Sequence, residues 1–96
     1  MATFLMLSTI GPEGMATLRD KPERLKEVNA EVEAMGAHVV AQWALLGQYD
    51  FATVLECPDE KIVTRVAVAL GARGTLKTKT MIAVPIEEFI ETIGAS

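Results

Sequence analysis

A short polar turn between two apolar segments constrains the fold of this chain more than any other feature. The turn is Gly47-Gln48-Tyr49-Asp50, and residues 37–46 and 51–57 on either side are rich in apolar and β-branched side chains. Two such runs joined by a turn predict a β-hairpin. Pro58 cannot continue a central strand, and Asp59 is a typical N-cap. A helix is therefore expected directly after the hairpin.

Periodic apolar positions predict the elements before the hairpin. Residues 3–10 are an apolar, β-compatible run, which predicts a strand that ends in a loop at residues 11–14. Residues 15–20 are expected to form a turn or an extra helical piece. A longer amphipathic helix is then predicted, with Asp20 as its cap and Gly36 as its C-terminal stop. Its apolar stripe consists of Leu25, Val28, Val32 and Met35.

The same periodicity predicts the elements after the hairpin. The helix that follows Asp59 is expected to end at Gly71 or Gly74, and residues 75–84, rich in threonine, predict a last strand. Pro85 ends that strand. A short C-terminal amphipathic helix follows, with apolar positions at Ile86, Phe89, Ile90 and Ile93.

The predicted order is β-α-β-β-α-β with a helical tail, in a single domain over residues 1–96. Right-handed crossovers and a central hairpin make this an α+β, ferredoxin-like sandwich, in which a four-stranded antiparallel sheet carries its helices on one face. The strands are apolar on both faces, so the face without helices needs a cover. A second subunit is the simplest cover, which predicts a dimeric α+β barrel.

Composition excludes several classes of function. The chain has 96 residues, of which 50% are apolar, and a net charge of -4 with its basic residues scattered, so nucleic acid is not an expected partner. It has one cysteine, Cys57, and no apolar run near the roughly 20 residues of a membrane helix. We expect a cytoplasmic homo-oligomer without membrane contact, metal or cofactor. A small apolar ligand is a further candidate partner.

The turn itself holds the first candidate site. In a functional interpretation, Asp50 is a base or hydrogen-bond acceptor at the mouth of a pocket, with Tyr49 beside it. In a structural interpretation, Gly47 supplies a positive φ, Asp50 braces turn amides and Tyr49 packs its ring locally. Turn chemistry alone explains all three residue types, which favours the structural interpretation.

Two residues of the strand before the turn are further candidates. His38, the single histidine, is a candidate base, although a place at the surface or at a dimer edge is favoured. Strict alternation puts Trp43 on the face of Val39 and Ala41, with His38 and Gln42 on the other face. A hairpin loop of two or four residues pairs the Trp43 face with that of Val54 and Glu56, and a loop of three or five residues with that of Thr53 and Leu55.

Charged and nucleophilic residues elsewhere complete the candidates. Glu56 interrupts an apolar strand. It is either a carboxylate that lines a pocket or a charged residue at a solvated rim. Arg24 lies near a helix start, where a cation is unfavourable, so it pairs with Asp20 or Glu27 or reaches an anion. Lys77 and Lys79 share a strand face with Met81 and could protect a sheet edge. Cys57 is expected to be a buried, inert thiol.

Taken together, the motifs resemble the GYD domain family. The matching residues are Gly47-x-Tyr49-Asp50 followed by Pro58-Asp59, with Glu13-Gly14, Pro22-x-Arg24, Gly36 and Thr78-x-Thr80 in the same order. The resemblance covers nearly the whole chain. It implies a ferredoxin-like subunit of the dimeric α+β barrel superfamily, and it implies no reaction.

Three functional hypotheses follow. The first is a homo-oligomeric structural, regulatory or small-molecule-binding module. The alternative is a small cofactor-independent enzyme, similar to a monooxygenase or an isomerase, that acts on a hydrophobic substrate between sheet and helices, with Trp43, Tyr49, Asp50 and His38 as its candidate residues. A haem or metal protein would depend on His38 alone and ranks last.

Overall fold

Four antiparallel strands form one sheet in the computed structural model, which describes residues 1–95. The strands are β1 (Ala2–Ile10), β2 (His38–Ala44), β3 (Phe51–Cys57) and β4 (Leu76–Ala83), and the helices within these residues are α1 (Pro12–Asp20), α2 (Arg24–Ala34), α3 (Glu60–Gly71) and α4 (Ile86–Gly94). The strand order β2-β3-β1-β4 is that of a ferredoxin-like sandwich. The predicted α+β fold is therefore confirmed, including the short C-terminal helix.

The core lies between the sheet and its helices. Alternate side chains of β1 and β3 face that side, since successive residues of a strand point to opposite faces. The buried apolar residues are Phe4, Met6, Leu55 and Cys57 of the sheet, Ala37 just before β2, Val32 of α2, and Val63, Val66 and Leu70 of α3. The predicted apolar stripe of α2 therefore faces the sheet, and α3 packs on it through Val63, Val66 and Leu70.

The other side of the sheet has no helix over it in the described part of the chain. We call this surface the open face. Its apolar centre comprises Leu5, Leu7, Val54, Trp43 and Met81, which the strand registers place on one side. Trp43 is 55% exposed and Met81 45% exposed. An antiparallel sheet usually presents polar side chains to solvent on such a face, so its apolar character calls for a cover.

The hairpin register resolves the alternatives for Trp43. The loop spans residues 45–50, which is longer than any of the lengths considered from the sequence, and Trp43 pairs with Ala52 on the face of Val54 and Glu56. A register shift between Val39 and Ala41 breaks the strict alternation. The expectation that Val39 shares the face of Trp43 is therefore wrong, because the bulge turns Val39 to the helix side.

His38 is displaced by the same bulge. It pairs with Glu56 and lies on the open face, whereas Gln42 pairs with Thr53 on the helix side. The sequence placed His38 and Gln42 on one face, and that expectation is wrong for the same reason.

The segment after β1 is more helical than the sequence indicated. Residues 12–14, expected to be loop, form the first turn of α1, where Pro12 is tolerated because its missing N–H would have no partner there. Asp20 ends α1 and pairs with Arg19, and α2 begins only at Arg24 without a side-chain cap. The prediction that Asp20 caps this helix is wrong.

The start of α3 and the course of α4 follow the sequence closely. Asp59 Oδ1 accepts hydrogen bonds from the N–H groups of Lys61 at 2.9 Å and Ile62 at 3.2 Å, which confirms the predicted N-cap. The helix α4 has no buried residue, and its apolar side chains are 50–65% exposed. Within the described residues, no helix has the length and apolar character needed to cross a membrane.

Removal of the α3 cap tests this account of the helix starts. We expect Asp59→Ala to lower the free energy of unfolding by about 1 kcal/mol, because two N–H groups lose their acceptor. The matched control is Asp20→Ala, which removes only an exposed ion pair and should cost less than about 0.5 kcal/mol. Urea denaturation followed by circular dichroism measures both. Equal losses in the two variants would contradict the assigned caps.

Candidate functional site

The hairpin loop is fixed to the end of β1 by Asp50. The N–H of Ile10 donates to Asp50 Oδ2 at 2.7 Å, and the N–H of Asp50 donates to the carbonyl oxygen of Ser8 at 2.8 Å. The N–H of Leu45 donates to the carbonyl oxygen of Asp50 at 2.8 Å. Asp50 therefore ties β1, β2 and β3 together at one point, and the amide that it braces belongs to β1 rather than to the turn.

The other two residues of the turn motif have local contacts. Gly47 has a φ of 139°, the positive value predicted for it, which a side chain would make unfavourable. Tyr49 is half-buried, and the Nζ of Lys79 lies 5.7 Å from the centre of its ring. This is the distance of a cation–π contact. It joins the loop to the edge strand β4.

Three of the remaining candidates lie on the open face. Trp43 is at its apolar centre, and His38 and Glu56 are opposite one another across β2 and β3. His38 Nδ1 lies 3.1 Å from Glu33 Oε2, an oxygen that also accepts the N–H of Val39 at 3.1 Å. These contacts make His38 and Glu56 part of a polar rim.

Arg24 lies on the opposite side of the sheet. Its NH1 is 3.0 Å from Glu27 Oε2 and 3.7 Å from Glu31 Oε1, and Arg73 forms a second ion pair with Glu31. The hydrogen bond from Arg24 and the charge of Lys21 hold the pKa of Glu27 below its ordinary value. Of the two ion-pair partners considered in the sequence, Glu27 is the correct one and Asp20 is not.

The ion pairs of Arg24 and Arg73 border a cavity between the sheet and the helices α1, α2 and α3. We call it the helix-side cavity; its volume is about 340 Å³. Its apolar wall includes Met6, Leu25, Val28, Leu55, Val66 and Leu70. Volumes of roughly 300–1,000 Å³ with a mostly apolar lining are typical of small-molecule sites.

A short chain of polar side chains crosses this cavity. The Nδ2 of Asn29 donates to Gln42 Oε1 at 2.7 Å, and the Nε2 of Gln42 donates to Thr53 Oγ1 at 3.0 Å. Ser8 also lines the cavity, and both Ser8 and Thr53 are more than nine-tenths buried. The cavity thus combines an apolar wall with hydrogen-bonding groups at its floor.

The structure brings few of the sequence candidates together. Of the seven, only Arg24 lines the helix-side cavity. Ser8, Asn29, Gln42, Thr53 and Arg73 were not singled out from the sequence as site residues. A signal was present for two of them, because Ser8 and Thr53 are hydroxyl residues at buried positions of otherwise apolar strands.

Among the described residues, Cys57 and the acidic side chains form neither a reactive thiol site nor a metal site. Burial raises the pKa of the Cys57 thiol, which donates to the carbonyl oxygen of Asp59 at 3.3 Å. A thiol of this kind is mostly protonated at neutral pH and reacts slowly. Among residues 1–95, no group of three or more His, Cys, Asp or Glu side chains is arranged to hold a metal ion.

Comparison with known proteins finds a match to one family profile and a relative with 47% sequence identity. The profile of the GYD domain family matches residues 4–93. A protein of Thermus thermophilus, named glutamine synthetase and cystathionine beta-lyase binding protein, is 47% identical over 91 residues, which cover 94% of this chain and 96% of that protein.

Two crystal structures show the same fold. A protein called FFRP-DM1 has a TM-score of 0.58 at 21% identity, covering 88% of this chain and 100% of the other. A second protein of Thermus thermophilus has a TM-score of 0.56 at 17% identity, covering 88% of this chain and 95% of the other. At these identities, the likeness concerns the fold and not the chemistry of any site.

Substitution of Asp50 tests its role as a brace. We expect Asp50→Ala to lower the free energy of unfolding by about 1–3 kcal/mol, because the N–H of Ile10 loses its acceptor in a half-buried place. Asp50→Asn keeps an acceptor oxygen and should cost less than about 1 kcal/mol. Chemical denaturation of both variants is the measurement. Equal stability of Asp50→Ala and the unmodified protein would refute the bracing role.

Proposed function

Because the chain belongs to the GYD domain family, we propose that it is a single-domain, homo-oligomeric regulatory module that binds a metabolic enzyme. The supporting observation is its 47% identity, along nearly the full length of both chains, to a protein named for binding glutamine synthetase and cystathionine beta-lyase. The glutamine synthetase of the organism that encodes this chain is therefore the first candidate partner, and its cystathionine beta-lyase the second.

Self-association through the open face supports the oligomeric part of this proposal. On the central strand β1, Leu5 lies between Val54 and Met81, and Leu7 lies between Ala52 and Lys79. Two such faces packed together form a barrel and remove these side chains from water, which stabilises the pair by roughly 25 cal/mol per Å² of apolar surface. A stable interface needs about 800 Å² from each partner, which favours use of the whole face.

The helix α4 is our candidate for the enzyme contact. Ile86, Phe89 and Ile90 are 65%, 50% and 57% exposed, on a helix that also carries Glu87, Glu88 and Glu91. An amphipathic helix with an exposed apolar stripe is a common element of protein recognition. If self-association covers the open face, α4 remains as an exposed apolar surface for another protein.

The helix-side cavity supports a second candidate function, the binding of a small apolar molecule. Its volume and its mostly apolar wall favour this. A small enzyme that acts on a hydrophobic substrate is the further alternative. It receives less support, because Trp43, Tyr49, Asp50 and His38 are absent from the cavity lining.

A charge at the centre of the open face tests self-association. We expect the unmodified protein to form a dimer or larger oligomer, and Leu5→Glu to shift it to the monomer mass of 10.4 kDa, because a buried carboxylate without a partner is strongly unfavourable. The matched control is Val68→Glu, at a residue of α3 that is 65% exposed and does not belong to the open face. Light scattering after size-exclusion chromatography measures the masses. A monomeric unmodified protein at micromolar concentration would end the proposal of self-association.

Direct binding tests the enzyme partner. Glutamine synthetase and cystathionine beta-lyase from the organism that encodes this chain are immobilised in turn, and binding is followed by biolayer interferometry. We expect Phe89→Glu to weaken binding about tenfold or more, because a central aromatic contact is lost, while Val68→Glu binds as the unmodified protein does.

The enzyme-binding experiment has two adverse outcomes. If neither enzyme binds the unmodified protein at micromolar concentration, the proposed partner is wrong. If Phe89→Glu binds normally, the contact does not lie on α4.

A further inference from the structure

We propose that the helix-side cavity binds a small, uncharged ring compound that carries one hydroxyl or carbonyl oxygen, held by the hydroxyl groups of Ser8 and Thr53. This inference rests on the small-molecule role proposed above and specifies its chemistry. Size, polarity of the floor and charge at the mouth each restrict the ligand independently.

The volume sets the size of the ligand. The cavity measures about 340 Å³, more than twice the roughly 150 Å³ that accommodates benzene in an apolar protein interior. A compound of two fused rings, or one substituted ring, fits this space. The wall that would contact it is formed by apolar side chains from three elements, among them Met6 of β1, Leu25 and Val28 of α2, and Leu70 of α3.

The floor of the cavity supplies hydrogen bonds for one oxygen. Ser8 is 8% exposed, and its hydroxyl has no hydrogen-bond partner among residues 1–95. The oxygen itself is not fully enclosed, so a water or a ligand in the cavity can reach it and form a hydrogen bond. The Ser8 side chain lines the cavity. A ligand oxygen is therefore the kind of group that would satisfy it.

Thr53 supplies the second hydrogen bond. It is 7% exposed, and its Oγ1 accepts from the Nε2 of Gln42 at 3.0 Å. A threonine hydroxyl has one donor in addition to its acceptor sites, so Thr53 retains an O–H that can donate. Asn29 donates to Gln42 and holds the amide in the orientation that makes Thr53 an acceptor. The floor consequently favours a ligand with an acceptor oxygen.

The distribution of charge excludes an ionised ligand from the interior. Only Arg24 and Arg73 are charged among the described lining residues, and both are already paired with Glu31. Neither Ser8 nor Thr53 can neutralise a carboxylate, and an unpaired buried charge is strongly unfavourable. The side chains of the ion pairs are 32–40% exposed, so they mark the mouth, and opening them costs little.

The test compares 2-naphthol with naphthalene and 2-naphthoate. Each compound is titrated into the isotopically labelled full chain, and ¹H–¹⁵N NMR spectra report the binding. We expect 2-naphthol to bind with a Kd below ~1 mM and to shift the side-chain amide signals of Asn29 and Gln42. Naphthalene lacks the oxygen and 2-naphthoate carries a charge, so both should bind more weakly, the latter at least about tenfold.

Variants identify the groups that hold the ligand. Ser8→Ala should weaken the binding of 2-naphthol roughly 3- to 10-fold and leave the affinity for naphthalene unchanged, because only the hydroxyl contact is lost. Thr9→Ala is the matched control, since Thr9 is the next residue of β1 and faces the open side. Leu25→Phe reduces the free volume and should abolish binding of all three compounds. Its folding is checked by the same spectra.

Three results would overturn the inference. If 2-naphthol and naphthalene bind equally and Ser8→Ala has no effect, the oxygen chemistry is wrong while a small-molecule role stands. If neither compound binds at ~1 mM, both this inference and the small-molecule role are wrong. If 2-naphthoate binds as tightly as 2-naphthol, the exclusion of charge fails. Self-association and enzyme binding are read by separate measurements, so none of these results bears on them.

Discussion

The apolar character of both faces of β1 is the constraint on which the rest of the structure depends. Its odd-numbered residues Leu5 and Leu7 face the open side, and its even-numbered residues Phe4 and Met6 face the helices. A central strand of this kind needs two covers, because exposure of either face forfeits the hydrophobic stabilisation of the sheet. The helices α2 and α3 supply one cover from the same chain. The open face has no cover among the described residues, and the proposed self-association would supply one.

The helix cover is itself uneven, and this unevenness creates the cavity. Near the start of β1 and the end of β3, Phe4, Leu55 and Cys57 are buried against Val63 and Val66. Towards the end of β1, Ser8 and its neighbour Thr53 on β3 place hydroxyl groups on the helix side, and the first turns of α2 contribute side chains that are only half-buried. Close packing there would have required larger apolar residues at the positions of the two hydroxyls. The hydroxyl groups of the cavity floor are therefore buried, and they distinguish this region from an ordinary apolar core.

Local signals made much of the fold predictable, whereas contacts between distant segments did not. Asp59 caps α3 and Gly47 has a positive φ because each depends on its own neighbours in the chain. The bulge in β2 has no such signal, so alternation misplaced Val39. Asp20 was predicted to be a cap because Pro22 follows it. The same pattern also occurs where one helix ends shortly before another begins, which is the case here. The cavity depends on gaps between separate elements, which no local pattern reveals.

The turn motif and the cavity are joined through a single residue. Asp50 donates its N–H to the carbonyl oxygen of Ser8 and accepts the N–H of Ile10, so it holds β1 on both sides of Thr9 and, with the Ser8–Phe51 pairing, fixes the register of Ser8. A slip of one residue would turn the Ser8 hydroxyl to the open face and a larger apolar neighbour inward. Asp50 therefore positions the floor of the cavity without lining it. A residue that looked like a candidate base from the sequence can act on a binding site through the backbone alone.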